Sequence, residues 1–551
     1  MKKRTKLLSF LLAASVMMTT VLPVHGAPQA VQKAVPYDIV KLSTNYMENP
    51  LGINAEKKPV FSWQMHSAEM GAAQSAYRIV VTDHQGKTVW DSGKTESGES
   101  VGIAYKGENL SGETRYQWQV EVWNQDGDKF VSEKANFETA LKSDADWDGA
   151  QLICLAESES APVFRTEKTL QEKVKSARLY VGALGIFEAY INGQNVGSTT
   201  KDGIKDEHMA PGYYNDFANE NGYRVYDVTS YLTDTEQMAL AIQAGTGWTG
   251  GFTNGKATPA IKAKLEVVYE NGTSETIVTD DEHWKGTLEG GITYNSIYNG
   301  EKYNADKEKA LGNYKNPGYD DSGWNQVTVK EDYRGTFVPR LEEATYIQEQ
   351  YTVVPQSVTV YTGQKESSDY AGGEIRVDSY AAYQKPTDAL YRQGQVTIVP
   401  PGQSLFGQGT TLRAGQTMVL DMGQNAVGIP KIQASAAEET VLTMKFAERL
   451  NDGSKRYTDT YDGDNKESKT HPDALYAGDG PKGSVYLKSL RGAKAQAEYI
   501  FCGEEKEFYQ PQMTYFGYQY VSLTADKDIT VYGLETKVVS SVAEQTGFIE
   551  T

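Results

Sequence analysis

Side chains that could bind a sugar or a cation are concentrated in the middle of this chain. Asparagine, aspartate and tyrosine residues between positions 192 and 216 precede a Gly-Trp pair at 247–248. Carboxylate and amide oxygens suit Ca²⁺, which takes about six to eight oxygen ligands, and an aromatic ring can stack on the face of a sugar. The candidate sugar-binding residues are Asn192, Tyr213, Tyr214, Trp248 and Glu301, and the candidate Ca²⁺ ligands are Asp202, Asp206 and Asp216.

A structural explanation of the same residues stays open, because Asp and Asn are common in β-turns for conformational reasons alone. Glu301 and Glu448 are also the acids that most resemble members of a catalytic pair. Glycoside hydrolysis uses two carboxyl groups about 5–10 Å apart, one of them kept protonated by its surroundings. Either glutamate could instead be a strand-end acid that accepts backbone hydrogen bonds. Since the sequence places no second carboxyl group beside them, we assign no catalytic residue.

Other motifs for catalysis and metal binding lack the context that they need. Gly98-Glu99-Ser100-Val101-Gly102 matches a nucleophile elbow, which requires a strand-to-helix turn in an α/β sheet. The glycines at 245, 247 and 250 match a dinucleotide fingerprint, but no βαβ pattern surrounds them. The histidines are scattered without zinc-ligand spacing. None of these patterns requires a cofactor, and Ca²⁺ is the candidate ion.

Alternation of apolar and polar residues predicts that β-strands position the candidate side chains. The alternation runs through 116–123 and 187–192, and Asn271-Gly272 is a strong hairpin signal between 265–269 and 276–279. Long amphipathic helical patterns are missing from the sequence. Short strands separated by Gly and Asx turns are typical of β-sandwiches, so the predicted fold class is all-β with tandem sandwiches.

The length of 551 residues is too great for a single core and predicts about three or four domains. Residues 37–142 have the length and strand density of a fibronectin type III-like or immunoglobulin sandwich. A larger sandwich is predicted over 150–345 and a third over 346–540. The polar stretch 142–149 is predicted to link the first two.

Residues 1–26 have the features of a secretory signal peptide, with a basic start, an apolar stretch and small residues before the cleavage site. We therefore expect a secreted protein. The apolar stretch is too short to be a membrane anchor, which needs about 20 residues. The formal net charge of −19 disfavours nucleic acid and anionic membrane surfaces as partners. Cys154 and Cys502 could pair, although two buried free thiols fit the composition better.

A series of motifs, in this order along the chain, resembles the bacterial α-L-rhamnosidases of glycoside hydrolase family 78. No single motif decides the resemblance, which rests on their number and their collinear order over residues 37–551. The motifs include Asn49-Pro50-Leu51-Gly52-Ile53, Gly185-Ile186-Phe187-Glu188-Ala189-Tyr190-Ile191-Asn192-Gly193, Gly245-Thr246-Gly247-Trp248, Ile297-Tyr298-Asn299-Gly300-Glu301, Leu420-Asp421-Met422-Gly423-Gln424-Asn425, Phe446-Ala447-Glu448-Arg449-Leu450 and Met513-Thr514-Tyr515-Phe516-Gly517-Tyr518.

The resemblance implies a fibronectin type III-like sandwich followed by two jelly-roll or concanavalin-like sandwiches. In the family these precede an (α/α)6 barrel, which carries acidic catalytic residues and hydrolyses rhamnosides with inversion. Residues 541–551 resemble the entry into that barrel, and the family's catalytic positions have no match in this sequence. Some members bind L-rhamnose with Ca²⁺ through the second sandwich, but the loop between 193 and 211 looks longer here than in the family.

Two functions from different classes follow. The chain is expected to be the N-terminal accessory region of a secreted α-L-rhamnosidase, inactive by itself, whose complete form releases terminal α-L-rhamnose from glycosides or polysaccharides. The alternative is a secreted, non-catalytic, lectin-like protein that binds carbohydrate. Under either hypothesis the partners are rhamnose-containing glycosides, with no nucleic acid and no membrane.

Overall fold

The computed structural model describes residues 37–199, 205–210, 219–249, 258–341, 345–362, 375–384, 394–451 and 479–541. The side chains of 198, 199, 205, 206, 349 and 350 are outside this description. The described chain is built almost wholly from β-strands, which pack as three successive sandwiches. The predicted all-β class is therefore confirmed. The predicted signal peptide at 1–26 and residues 542–551 lie outside the described part.

The first sandwich encloses a core rich in aromatic side chains. Alternation decides its faces: Tyr116, Trp118 and Val120 point into the core, and the residues between them are half-buried. The strands are β1 Asp38–Thr44, β2 Leu51–Ile53, β3 Val60–His66, β4 Gln74–Asp83, β5 Thr88–Asp91, β6 Thr95–Glu96, β7 Ile103–Ala104, β8 Arg115–Asn124, β9 Lys129–Val131 and β10 Ala135–Thr139. One sheet has the order β1-β3-β7, and the other has the order β2-β10-β8-β4-β5, with β6 on β4 and β9 on β8.

The second sandwich has two sheets of seven and six strands around a large apolar core. Their orders are β26-β11-β20-β13-β18-β27, with β21 on β20, and β15-β14-β19-β12-β22-β25. The strands of this part of the chain are β11 Ile153–Cys154, β12 Val163–Thr169, β13 Val174–Leu184, β14 Ile186–Ile191, β15 Gln194–Asn195, β16 Ser198–Thr199, β17 Lys205–His208, β18 Glu220–Asp227, β19 Gln237–Gly245, β20 Ala260–Tyr269, β21 Ser274–Val278, β22 Lys285–Thr287, β23 Ile292–Ser296, β24 Gly300–Asn304, β25 Asn325–Gln326, β26 Thr328–Val329 and β27 Thr336–Pro339. Two short helices, α1 Thr229–Leu232 and α2 Ala305–Leu311, accompany them.

The third sandwich is organised by one strand of 20 residues, β33, which pairs with β29 and β37 through its first half and with β38 through its second. The two halves of β33 therefore pair with different strands. The strands are β28 Thr345–Val353, β29 Ser357–Thr362, β30 Arg376–Ala382, β31 Gln395–Ile398, β32 Thr410–Leu412, β33 Thr417–Ala436, β34 Val441–Ala447, β35 Gln496–Ile500, β36 Glu507–Tyr509, β37 Phe516–Ala525 and β38 Ile529–Ser540.

Two hairpins from the second block of sequence extend the third sandwich. The hairpin β23–β24 joins through a parallel pairing of β24 with β35, in which Gly300 opposes Gln496. On the other side, β17 pairs with β28. The boundary predicted at residue 345 is thus crossed twice by backbone hydrogen bonds.

The predicted linker at 142–149 is a packed joint between the first two sandwiches. Its 3-10 turn, Asp144–Trp147, places Trp147 in the interior, with its ring 5.2 Å from that of Tyr223 and 5.9 Å from that of Phe337. Across the same joint, the guanidinium of Arg178 binds both carboxylate oxygens of Glu138, at 2.6 and 2.7 Å. Charge pairing and ring packing together hold the first sandwich against the second.

Candidate functional site

Trp248 lies half-buried at one end of the second sandwich, in the turn that follows β19. Asn295 holds this turn: its Oδ1 accepts the Thr246 N–H at 2.6 Å, and its carbonyl accepts the Thr246 hydroxyl at 3.1 Å. The Trp248 ring lies 6.5 Å from the ring of Tyr298, which occupies the connection between β23 and β24. Two aromatic rings therefore lie near each other at this end, tilted by 52°.

Sequence reasoning did not identify Tyr298 as a functional residue. The available signal was its type and position, since it is an aromatic residue in a three-residue hairpin loop just before Asn299-Gly300-Glu301. Its partner Trp248 is 50 positions earlier in the sequence, so only the fold brings the rings together.

Asn192 lies at the opposite end of β19 from Trp248. Its Oδ1 accepts the Ala239 N–H at 2.8 Å, and its Nδ2 donates to the Gln237 carbonyl at 3.1 Å, both at the start of β19. Asn192 and Gly193 both have positive φ, as the tight Asn-Gly turn requires. The structure therefore separates Asn192 from Trp248 by the length of a nine-residue strand. Its role in sugar binding stays a prediction.

Most of the other candidate ligands lie outside the described residues. These are Tyr213, Tyr214, Asp202 and Asp216, and for Asp206 only the backbone, in β17, is described. Among the described side chains, no group of three or more His, Cys, Asp or Glu is placed to hold a metal ion. The Ca²⁺ site stays a prediction. None of the described helices is long and apolar enough to cross a membrane.

Glu301 lies in the interior, with 1% of its surface exposed. Its Oε2 accepts the N–H groups of Met513 at 2.7 Å and Gln512 at 3.0 Å, and its Oε1 accepts the Tyr509 hydroxyl at 3.1 Å. Burial raises the pKa of Glu301 to about 7, although these three donors oppose the rise. In this arrangement Glu301 anchors the segment 512–513 of the third sandwich, and its contact with a sugar stays a prediction. Glu448, the other acid considered, is exposed, and its Oε1 accepts a long 3.4 Å bond from Asn425.

His208 binds the next residue of the same segment. Its Nε2 lies 2.9 Å from the Thr514 carbonyl, so Nε2 carries the proton, and its Nδ1 lies 4.0 Å from Glu188 Oε1. Burial lowers the pKa of His208 to about 4, partly offset by the bond to Thr514. Strands β24 and β17, which come from the second block of sequence, thus contact residues 512–514 through two buried titratable groups, and we call this contact the seam.

We expect His208→Gln to remove one acid-sensitive contribution that the seam makes to the free energy of unfolding. The imidazole stays neutral in the folded protein down to about pH 4 but becomes charged below about pH 6.5 in the unfolded chain, so its contribution to stability is lost as pH falls through that window. The difference in unfolding free energy between wild type and variant should shift by about 3 kcal/mol between pH 6.5 and 4. Urea unfolding across this range measures it, with the exposed His84→Gln as control. A constant difference would contradict a buried neutral imidazole.

In the comparison with known proteins, a protein-family model matches a segment of each of the three sandwiches. The description "Rha78A-like, N-terminal immunoglobulin domain" matches residues 39–143, "Alpha-L-rhamnosidase N-terminal domain" matches 172–349, and "Bacterial alpha-L-rhamnosidase concanavalin-like domain" matches 411–543. This chain belongs to the bacterial α-L-rhamnosidase family. It carries the N-terminal β-sandwich region of that family, as the sequence motifs indicated.

Individual α-L-rhamnosidases agree with this assignment. The chain is 27% identical to one from Formosa agariphila over 87% of its own length and 44% of the relative's, and 27% identical to one from Alteromonas sp. (strain LOR) over 75% and 40%. It superposes on the α-L-rhamnosidase structure from Dictyoglumus thermophilum with a TM-score of 0.66 and 26% identity, over 93% of this chain and 49% of that one. The Streptomyces avermitilis α-L-rhamnosidase complexed with L-rhamnose shares the fold, with a TM-score of 0.66 and 21% identity over 92% and 57%. The chain spans less than half the length of these curated relatives.

Proposed function

We propose that this chain is the accessory region of a secreted α-L-rhamnosidase that hydrolyses terminal α-L-rhamnose with inversion, and that the sandwiches themselves do not catalyse the reaction. The observation that carries the proposal is the succession of three rhamnosidase-family domains in one chain. The environments of the two candidate acids support it. Glu301 is buried and accepts three hydrogen bonds from protein donors, and Glu448 is solvent-exposed, whereas an inverting pair needs two carboxyl groups facing one substrate cavity.

The sugar-binding part of this proposal centres on the Trp248 end of the second sandwich. Trp248 and Tyr298 supply adjacent rings there. The Phe187 N–H donates to the Ala210 carbonyl at 2.8 Å, so the chain reaches this end just before the candidate residues Tyr213 and Tyr214. Rhamnose, bound with Ca²⁺ held by Asp202, Asp206 and Asp216, is the proposed ligand.

Rhamnose release from an aryl α-L-rhamnoside tests the catalytic half of the proposal. We expect the purified 551-residue chain to give no release above buffer, while the Streptomyces avermitilis enzyme serves as positive control. Turnover that Glu301→Gln or Glu448→Gln abolishes would contradict the proposal, because it would place an active site inside the sandwiches.

Titration with L-rhamnose, with Ca²⁺ or with EDTA, tests the binding half. Heat of binding that requires Ca²⁺ and is lost in Trp248→Ala would support the proposed site.

Sequencing the transcript beyond codon 551 separates the two functional hypotheses. A reading frame that continues into helical repeats supports the accessory region, and a stop codon supports the lectin-like protein.

A further inference from the structure

We propose that the outer face of the second sandwich holds a separate, calcium-independent binding site for a neutral pyranose with adjacent hydroxyl groups. The site is an open pocket of about 380 Å³, lined by Arg165, Glu167, His283, Lys285, Gly318, Tyr319 and Asp321. This volume is within the range of small-ligand sites, which begins near about 300 Å³. The inference does not depend on the proposed rhamnosidase function.

The floor of the pocket is a buried arginine. Arg165 lies on β12, on the side that faces away from the main core, and only 1% of its side chain is exposed. Its Nε donates to the Tyr314 carbonyl at 2.8 Å, and its Nη1 donates to Asp321 Oδ2 at 2.7 Å. Its Nη2 binds Glu167 and the Asn316 carbonyl. With four of its five N–H groups bonded to protein and its side chain buried, Arg165 fixes the two carboxylates in place.

The walls retain polar groups that a ligand can reach. About a quarter of each carboxylate side chain is exposed, 25% for Glu167 and 22% for Asp321, and Lys285 is 35% exposed. Glu167 Oε1 accepts one bond, from the Gly318 N–H at 2.9 Å, and Asp321 Oδ1 accepts one, from Lys285 at 2.9 Å. Each oxygen can accept a second bond, and the lysine, which also donates to the Asp321 carbonyl, keeps one donor.

These groups favour a sugar over a charged ligand. Two cations and two carboxylates cancel, so the pocket presents no net charge to attract an ion. One hydroxyl of a vicinal pair can donate to a carboxylate while its neighbour accepts from the lysine. The ring of Tyr319, whose centroid lies 5.5 Å from the Arg165 guanidinium carbon, offers a flat surface for the C–H face of a pyranose.

The pocket is distinct from the Trp248 end. Arg165 pairs with Ala241 in the middle of β19, whereas Trp248 follows the end of that strand. The ion pairs that shape the pocket involve no residue of the candidate Ca²⁺ set. Binding measured after chelation of Ca²⁺ therefore reports on this pocket and not on the proposed Ca²⁺-dependent site.

Titration of the full chain in EDTA, by saturation-transfer NMR and calorimetry, tests the inference. The probes are the methyl glycosides of L-rhamnose, D-galactose and D-glucose. We expect at least one to bind, with affinity reduced at least tenfold in Tyr319→Ala and in Lys285→Met. Both changes remove half-buried groups of the pocket wall and leave the hydrogen bonds of Arg165 in place, and thermal melts of each variant check folding.

Trp248→Ala and the exposed Tyr46→Ala, in the first sandwich, are the matched controls and should leave binding in EDTA unchanged. The inference is overturned if none of the three glycosides binds wild-type protein in EDTA. It is also overturned if the binding survives both pocket variants, or is lost in Trp248→Ala. Since no hydrolysis is measured, a failure here would leave the proposed function intact.

Discussion

Gly300→Ala is expected to lower the free energy of unfolding by more than about 4 kcal/mol, an effect at the extreme of single substitutions. Gly300 has a φ of +115°, where residues with a side chain are strained. A Cβ at this position would lie 1.7 Å from the Gln496 carbonyl oxygen. The obstructing atom is backbone of the paired strand β35, so a rotamer change cannot relieve the overlap. The pairing of β24 with β35 would have to open.

Gly272→Ala is the matched control for the backbone conformation. Gly272 also has a positive φ, +86°, but a Cβ there would meet no atom within 4 Å. It should cost about 1–2 kcal/mol, which is the conformational penalty alone. Urea unfolding of both variants isolates the contribution of the close approach. Equal losses for the two variants would contradict the tight contact between the hairpin and β35.

Substitutions of Glu301 are expected to have the second large effect, and the two simplest should differ sharply. Glu301→Ala leaves the buried Tyr509 hydroxyl and the N–H groups of Gln512 and Met513 without their acceptor, which should cost about 3–5 kcal/mol near pH 5. Glu301→Gln can keep all three contacts, because its oxygen accepts the two N–H groups and its amide donates to the tyrosine oxygen. The ordering of the two variants is measured by chemical denaturation.

The pH dependence of Glu301→Gln gives an independent test. Because the pKa is raised to about 7 in the folded protein from an ordinary value of 4.5, the unfolded chain releases its proton first. Stability from this group therefore falls as pH rises from about 4.5 to 7. The glutamine variant should gain about 3 kcal/mol relative to wild type over that interval. A pH-independent difference would show that Glu301 ionises normally inside the fold.

His208 and Glu301 act in opposite directions on adjacent residues of one segment. The histidine contribution is lost as pH falls from 6.5 to 4, and the glutamate contribution is lost as pH rises from 4.5 to 7. Their slopes offset each other between about pH 4.5 and 6.5. Either single variant, His208→Gln or Glu301→Gln, should leave the pH dependence of the remaining group visible in the free energy of unfolding.

Local features of the fold could be predicted from the sequence. The alternation ending at Asn192-Gly193 and the hairpin signal Asn271-Gly272 each specify a strand and its turn within a dozen residues, and both are present in the structure. The thiols of Cys154 and Cys502 are both free, as expected, but only Cys154 is buried, since Cys502 is partly exposed. The two turn predictions succeed because the interactions that decide them are close in sequence.

The candidate site could be predicted only in part. Residue types singled out Trp248 and Glu301, but Glu301 meets Met513 across 212 positions and Arg165 meets Asp321 across 156. No periodicity encodes such pairings, since they depend on which strands become neighbours. Asn192 and Trp248 show the opposite case. The sequence interpretation grouped both as loop residues of one site, but strand β19 lies between them, so they are at opposite ends of a sheet.

The strand pairings between the second and third blocks of sequence also limit where recombination can divide the gene without loss of folding. A recombination event near residue 345 would separate β24 from β35 and β17 from β28, leaving unpaired strand edges on both fragments. Gene fusions that preserve folding should therefore exchange residues 150–541 as one cassette. The first sandwich contacts the second through side chains at the 142–149 joint. It is therefore the segment that recombination should be able to exchange.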